Sequence, residues 1–118
     1  MILLKVYATV GSEEKVQYLL DNFEIPRSHI FSSRDASFHQ NLMEATNGTG
    51  VDLVLNSLAG ELLQASWKCV AEFGKMVEIG KRDFMEHGTL GLEAFGGNRA
   101  FFGVDLIRLV EKPGQFAR

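Results

Sequence analysis

The sequence contains little of what disulfide-bonded, metal-binding and membrane-spanning proteins are built from. It has one cysteine, Cys69, and three histidines, so an internal disulfide is excluded and no Cys/His group has the spacing of a metal site. Its apolar runs fall well short of the roughly 20 residues that span a bilayer, and Met1–Lys5 is too short for a signal peptide. Fifteen acidic and 12 basic residues give a net charge of -3, which argues against a broad nucleic-acid-binding surface. We therefore expect a cytoplasmic protein without metal, membrane or nucleic-acid partners.

What the sequence does contain is a regular alternation of apolar strands and amphipathic helices. Its 118 residues, 46% of them hydrophobic, suit one domain with a modest core, which we place over residues 1–118. The pattern predicts strands at Ile2–Val10, His29–Ser32, Val51–Leu55, Lys75–Ile79 and Ala100–Val104. It predicts helices after Ser12 and Asp35, over Gly60–Ala71 and over Asp105–Glu111, and one or two helical turns over Leu90–Phe95. This order indicates the α/β class, with a Rossmann-like parallel sheet of about five strands and helices on both faces.

Two strand ends in the first part of the chain have the composition of a phosphate site. In a dinucleotide-binding fold, an acidic residue at the end of the second strand selects NAD, whereas cations there admit the 2′-phosphate of NADP. Gly11-Ser12 has no carboxylate, Lys15 lies in the next helical turn, and Ser33-Arg34 ends the following strand. The pattern therefore favours NADPH. The alternative is that Lys15 is a solvated helix residue and Arg34 pairs with a nearby carboxylate, and spacing alone favours that alternative.

Polar residues also follow three later strands. Open α/β sheets bind ligands at the carboxyl ends of their strands, where Asn56-Ser57 and Gly80-Lys81 lie. Lys81 is a candidate proton donor, or only a solvated lysine, and Asp105 could approach it or simply cap the last helix. Asn56 and Ser57 could bind a cofactor ribose or nicotinamide amide, or could cap the helix that starts near Gly60.

Other reactive side chains have a structural interpretation. Trp67 and Cys69 lie on a helix that faces the sheet, where core packing is the expected role of both. The sequence has no nucleophile elbow of the G-x-S-x-G type, and its histidines have no partner at catalytic spacing. The composition thus gives no support for a serine or cysteine hydrolase.

At these segments the chain resembles a known family. The stretches are ATVGSEEK, IFSSRDASF, GVDLVLNSLAGELLQASWKCVAEFGKMVEIGKRDF and FFGVDL, and the resemblance extends over roughly Val6 to Leu109. They resemble the enoyl reductase domain of polyketide synthases, most of all the fungal highly reducing type, with animal fatty acid synthase a more distant relative. Such domains belong to the zinc-free, quinone-reductase-like branch of the medium-chain dehydrogenase/reductase superfamily. The resemblance implies NADPH-dependent reduction of the α,β-double bond of an enoyl thioester on an acyl carrier protein, beside the other synthase domains.

The resemblance also implies roles for individual residues. Lys81 and Asp105 match the family's acid or its support, acting after hydride transfer. Adenosine 2′-phosphate contacts are implied at Gly11, Ser12, Lys15, Ser33 and Arg34. Contacts along the cofactor are implied at Asn56, Ser57, Leu58, Ile79 and Gly80. No metal ligand is implied.

One expected feature of the family is missing. The sequence has no G-x-G-x-x-G turn, because Gly96-Gly97 and Gly48-Thr49-Gly50 both precede strands, so the resemblance implies a partial cofactor domain without its first strand–helix unit. We expect the sheet to close by pairing Val6–Val10 with Val51–Leu55, giving a flavodoxin-like order, or its edges to pair in a homodimer. We expect little or no turnover from the chain alone. The alternatives are a non-catalytic structural or interaction fragment, and a free-standing quinone-reductase-like enzyme.

Overall fold

The computed structural model describes residues 4–111. The chain divides between Gly50 and Val51 into two compact units. We call residues 4–50 the N-terminal unit and residues 51–111 the C-terminal unit.

The N-terminal unit holds two short parallel strands, each followed by a helix. Its elements are β1 (Ala8–Val10), α1 (Glu13–Phe23), a 3₁₀ helix (Arg27–His29), β2 (Ile30–Ser32) and α2 (Ser37–Ala45). The strand register runs from Ala8 opposite Ile30 to Val10 opposite Ser32. Helix α2 packs on β2 and contributes Phe38 and Leu42, the two buried hydrophobic side chains described in this unit.

Helix α1 begins where the sequence predicts. The Ser12 hydroxyl accepts a hydrogen bond from the Lys15 backbone N–H at 3.3 Å, which satisfies one of the unpaired donors of the first turn. Glu13 and Glu14 place negative charge beside the positive end of the helix dipole. The helix ends at Phe23, and its C-cap Glu24 has a left-handed φ of 53°, two residues before Pro26.

The C-terminal unit is built on a three-stranded parallel sheet in the order β3-β4-β5. Its elements are β3 (Val51–Asn56), α3 (Glu61–Lys68), β4 (Val70–Glu78), α4 (Arg82–Met85), a 3₁₀ helix (Leu92–Gly97), β5 (Ala100–Gly103) and α5 (Leu106–Glu111). The central strand β4 pairs with both neighbours, so Asn56, Glu78 and Gly103 end the three strands in one row. The three strand ends therefore lie side by side.

The core of the C-terminal unit lies between α3 and one face of this sheet. Leu63 and Trp67 of α3 pack with Val70 and Met76 of β4, and Met76 is fully buried. The Trp67 ring meets that of Phe95 at 5.0 Å and that of Phe101, edge on, at 5.8 Å. This aromatic cluster adds ring contacts to the apolar burial that stabilises the unit.

Helix α3 is shorter than predicted. The sequence indicates a helix up to Ala71, whereas the helix ends at Lys68 and β4 begins at Val70. The Val51 N–H donates to the Cys69 carbonyl at 2.9 Å, and Val51 pairs with Val70. Pairing with β3 thus takes these residues out of the helix, because β-branched residues such as Val70 favour strands.

Strand β1 is also shorter than the predicted Ile2–Val10. It begins at Ala8, because its partner β2 begins at Ile30 and offers no ladder before that residue. Ile2 and Leu3, and the predicted helix stop at Pro113-Gly114, lie outside the described residues.

The class prediction is confirmed, but the predicted closure of the sheet is wrong. All five described strands are parallel to their partners and alternate with helices. They form two sheets, β1-β2 and β3-β4-β5, and β1 does not pair with β3. Because β1 has three residues, it could add only a few hydrogen bonds to such a sheet. The free energy of these bonds is small compared with the conformational entropy lost when the sheet closes.

We expect Trp67→Ala to lower the free energy of unfolding by about 3–5 kcal/mol, because it removes the side chain around which the core packs. Leu92→Ala is the matched control, since Leu92 is 82% exposed and its truncation creates no cavity. Urea titration followed by circular dichroism measures both. Equal midpoints for the two variants would contradict the described core.

Candidate functional site

The predicted site residues fall into two groups, one in each unit. We call Gly11, Ser12, Lys15, Ser33 and Arg34 the phosphate cluster. We call Asn56, Ser57, Leu58, Ile79, Gly80, Lys81 and Asp105 the strand-end cluster.

The phosphate cluster is assembled by the parallel pairing of β1 with β2. The Ser33 N–H donates to the Val10 carbonyl at 2.9 Å, which continues the ladder past both strand ends. Arg34 Nε donates to the Gly11 carbonyl at 2.5 Å. Residues 23 positions apart in the sequence thereby become neighbours.

Both cations of the phosphate cluster are exposed. Among the hydrogen bonds and ion pairs of the described residues, Arg34 uses its side-chain Nε alone, and the Lys15 ammonium makes none. The alternative role of Arg34, pairing with a carboxylate, is therefore not realised in the described part of the chain. Two cations, the Ser12 and Ser33 hydroxyls and the start of α1 are a donor set that suits a phosphate.

The strand-end cluster lies beyond the carboxyl ends of β3, β4 and β5. The Ile79 N–H donates to the Asn56 carbonyl at 3.0 Å, and the Val104 N–H donates to the Glu78 carbonyl at 2.8 Å. These bonds carry the sheet ladder beyond the strands. They hold the three following loops at one edge.

Lys81 and Asp105 meet at this edge. Lys81 Nζ lies 3.5 Å from Asp105 Oδ1, and the two side chains are 41% and 33% exposed. The approach that the sequence left open is thus present. The alternative role of Asp105, capping the last helix, is present as well. Its Oδ1 also accepts hydrogen bonds from the N–H groups of Ile107 at 3.1 Å and Arg108 at 3.2 Å at the start of α5.

The surroundings of Asp105 favour its ionised form. The hydrogen bond from the Arg108 backbone N–H is the largest effect and lowers the pKa of Asp105 below its ordinary value; desolvation opposes it, and the charge of Lys81 adds to the lowering. Asp105 is therefore a carboxylate at neutral pH and has no proton to give.

Asn56 and Ser57 have different surroundings. The Asn56 side chain is 3% exposed and donates to the Leu58 carbonyl at 2.8 Å, and its Oδ1 accepts from the Ser66 hydroxyl at 2.9 Å. Ser57 is exposed. Neither caps α3, whose N-cap is Gly60 with its N–H bonded to Asp83 Oδ2 at 2.9 Å.

Three residues of this region were missed by the sequence analysis. Ser66 bonds to Asn56, Asp83 holds the start of α3, and Glu78 is buried within the strand-end cluster. The available signal was Glu78 itself, a carboxylate inside the apolar strand MVEIG. A charged residue at an inward position of a strand needs partners.

The remaining reactive groups lie away from this edge. Burial raises the pKa of the Cys69 thiol to about 11, so it is protonated at neutral pH and a poor nucleophile. A cavity of about 190 Å³ is lined by apolar side chains such as Leu63, Phe84, Leu90 and Phe101. No member of either cluster lines that cavity among the residues described.

Residues 4–111 contain no group of three or more His, Cys, Asp or Glu side chains placed to hold a metal ion. In the same range, no helix has the length and apolar character needed to cross a bilayer.

Comparisons with known sequences give a consistent family. The zinc-binding dehydrogenase family model matches residues 1–108. The highly reducing polyketide synthase g433 of a Fusarium species is 63% identical over 107 residues, and lcsB of Purpureocillium lilacinum is 58% identical over 115. The matches cover 91% and 97% of this chain. The chain spans 4% and 5% of the length of those synthases.

A solved structure extends this result to the fold. The nucleotide-binding subdomain of the enoylreductase domain of PpsC from Mycobacterium tuberculosis is 36% identical and superposes with a TM-score of 0.81. The match covers 94% of this chain and 61% of that one. The chain belongs to the zinc-binding dehydrogenase family, as a segment resembling the enoyl reductase domain of highly reducing polyketide synthases.

Proposed function

We propose that this chain forms part of an NADPH-dependent enoyl reductase that reduces the α,β-double bond of an enoyl thioester. The observation that carries the proposal is the Lys81–Asp105 pair at the carboxyl ends of β4 and β5. An amine held by an ionised carboxylate at a strand edge suits the protonation step of such a reaction. The polyketide synthase relatives support the substrate class.

The chemistry divides between the cofactor and the chain. When bound, a reduced nicotinamide would supply the hydride for such a reaction. Lys81 Nζ is placed to stabilise negative charge on the substrate and to give a proton to its α-carbon. Asp105 holds the Lys81 amine in place, so Asp105 is a positioning residue.

The phosphate cluster supports the choice of cofactor. We propose that Gly11 and Ser12 bring backbone close to an adenosine 2′-phosphate, with Lys15, Ser33 and Arg34 as charged and hydroxyl contacts. Gly11 leaves space for this, because a Cβ added there would meet only Ser33 Oγ, at 3.8 Å.

We propose that the strand-end cluster binds the nicotinamide end of a cofactor. The Asn56 amide and the N–H groups of Ile79 and Gly80 are occupied by internal partners. We therefore assign the contacts here to Ser57 and to the backbone carbonyls of Leu58, Ile79 and Gly80. Asn56 then acts by holding its loop.

The partners follow from the relatives. We propose that the substrate is carried by an acyl carrier protein and that the reaction takes place in the cytoplasm beside other synthase domains.

For the chain alone we propose little or no turnover, since its sequence lacks the glycine-rich turn that holds a pyrophosphate. A homodimer through the sheet edges is proposed as well, and light scattering over a range of concentrations would detect it.

We expect the chain to bind NADPH more tightly than NADH in a calorimetric titration. Lys15→Ala and Arg34→Ala should each weaken NADPH binding by about tenfold, because each removes a charged contact to the 2′-phosphate. Lys5→Ala is the control, an exposed lysine of the same unit outside the cluster. If neither cofactor binds at millimolar concentration, the chain is instead a non-catalytic structural fragment.

The acid is tested in an enzyme that turns over. The matching segment of the Fusarium synthase is replaced by this chain, and reduction of an enoyl thioester is followed by NADPH absorbance. We expect Lys81→Met to lower kcat by about a hundredfold or more, and Asp105→Asn by less. Arg82→Gln serves as the control, because this exposed arginine pairs with Glu86 outside the cluster. Unchanged rates in both variants would remove Lys81 and Asp105 from the mechanism.

A further inference from the structure

Glu78 is a fully buried carboxylate that the proposed mechanism does not use. It ends β4 and is 1% exposed. In the described part of the chain no lysine or arginine forms an ion pair with it. Burying a polar side chain is costly unless it is hydrogen-bonded, so the hydrogen bonds of Glu78 must stabilise it there.

Both carboxylate oxygens of Glu78 accept hydrogen bonds from two different loops. Oε2 accepts from the Asn56 side-chain amide, at the end of β3. Oε1 accepts the Gly80 backbone N–H at 2.7 Å, in the loop that leads to Lys81. The side chain therefore joins the loops that follow β3 and β4.

The backbone of Glu78 reaches the third strand end. Its carbonyl accepts the Val104 N–H at 2.8 Å, one residue before Asp105. Glu78 is thus bonded to a neighbour of each member of the Lys81–Asp105 pair, on one side through its carboxylate and on the other through its main chain.

The packing around Gly80 shows how closely this loop is held. A Cβ added to Gly80 would lie 2.8 Å from Glu78 Oε1 and 3.1 Å from the Ser57 carbonyl oxygen. No side chain fits there without displacing the carboxylate or the neighbouring loop. The loop after β4 is therefore in close contact with the Glu78 carboxylate and with the loop that contains Ser57.

The chemistry of the contacts explains why the residue is a glutamate. Both partners are N–H donors, so both positions at residue 78 must be acceptors, which a carboxylate provides. Glutamine has the same shape but offers one acceptor and one NH₂ group. In one of the two contacts, the glutamine NH₂ group would then lie against another N–H donor.

We propose that Glu78 is a positioning residue of the strand-end cluster, which holds Gly80 and thereby Lys81 in place against Asn56 and Asp105. Asn56 belongs to this arrangement, anchored in turn by the Ser66 hydroxyl of α3. The expected effect of Glu78 on catalysis depends on the proposed function, whereas its effect on the arrangement of the loops does not depend on it.

The first measurement needs no variant. In an amide hydrogen-exchange experiment by NMR on the wild-type chain, Gly80 should exchange at least about tenfold more slowly than the exposed loop residue Gly91, because its N–H is bonded to a buried carboxylate. Equal exchange, after correction for intrinsic rates, would overturn the proposal.

The variants then test the carboxylate. Glu78→Gln should accelerate Gly80 exchange about tenfold or more and shift its amide resonance. Ser66→Ala is the matched control, because it breaks a hydrogen bond of the same buried group while leaving both Glu78 oxygens paired. Equal acceleration in Glu78→Gln and Ser66→Ala would show a merely structural role.

The catalytic link is measured in the chimeric synthase. Glu78→Gln should lower kcat for enoyl reduction about tenfold, with a smaller loss in Ser66→Ala. If the wild-type chimera does not reduce the substrate, the proposed function fails while the exchange result stands. If the wild-type chimera is active and Glu78→Gln is unaffected, the positioning role is overturned.

Discussion

The parallel pairing of β4 with β3 and β5 is the interaction on which the rest of the C-terminal unit depends. It buries Met76 and Glu78 on the face covered by α3, so the core and the strand ends are fixed by the same register. A slip by one residue would turn both side chains away from that face. The position of Lys81 beside Asp105 is therefore a consequence of the apolar packing beneath it.

Much of this could be predicted because it depends on local sequence signals. Ser12 with two following glutamates marks the start of α1, and the strand ends at Gly80-Lys81 and Asp105 follow from the β/α alternation. Parallel strands place their carboxyl ends at one edge, so proximity of Lys81 and Asp105 was a reasonable expectation. The structure has them 3.5 Å apart.

What could not be predicted depends on contacts between distant residues. Val70 continues a helical pattern and enters β4 only because it pairs with Val51. The division into two sheets is not encoded in any single segment, and neither is the bond between Glu78 and Asn56, which are 22 residues apart. From the sequence, the Asn56 amide is a candidate ligand contact. In the structure its hydrogen-bonding groups are taken up by neighbouring residues.

The proposed function requires two separate clusters at the strand ends, one for a 2′-phosphate and one for the reacting end of a nicotinamide cofactor. Chemical-shift mapping by NMR with adenosine 2′,5′-bisphosphate and, separately, nicotinamide mononucleotide tests it most directly. The first ligand should move the amides of Gly11, Ser12 and Arg34, and the second those of Ser57 and Gly80. Shifts confined to other segments, such as Thr89 and Leu90 beside the cavity, would contradict the account.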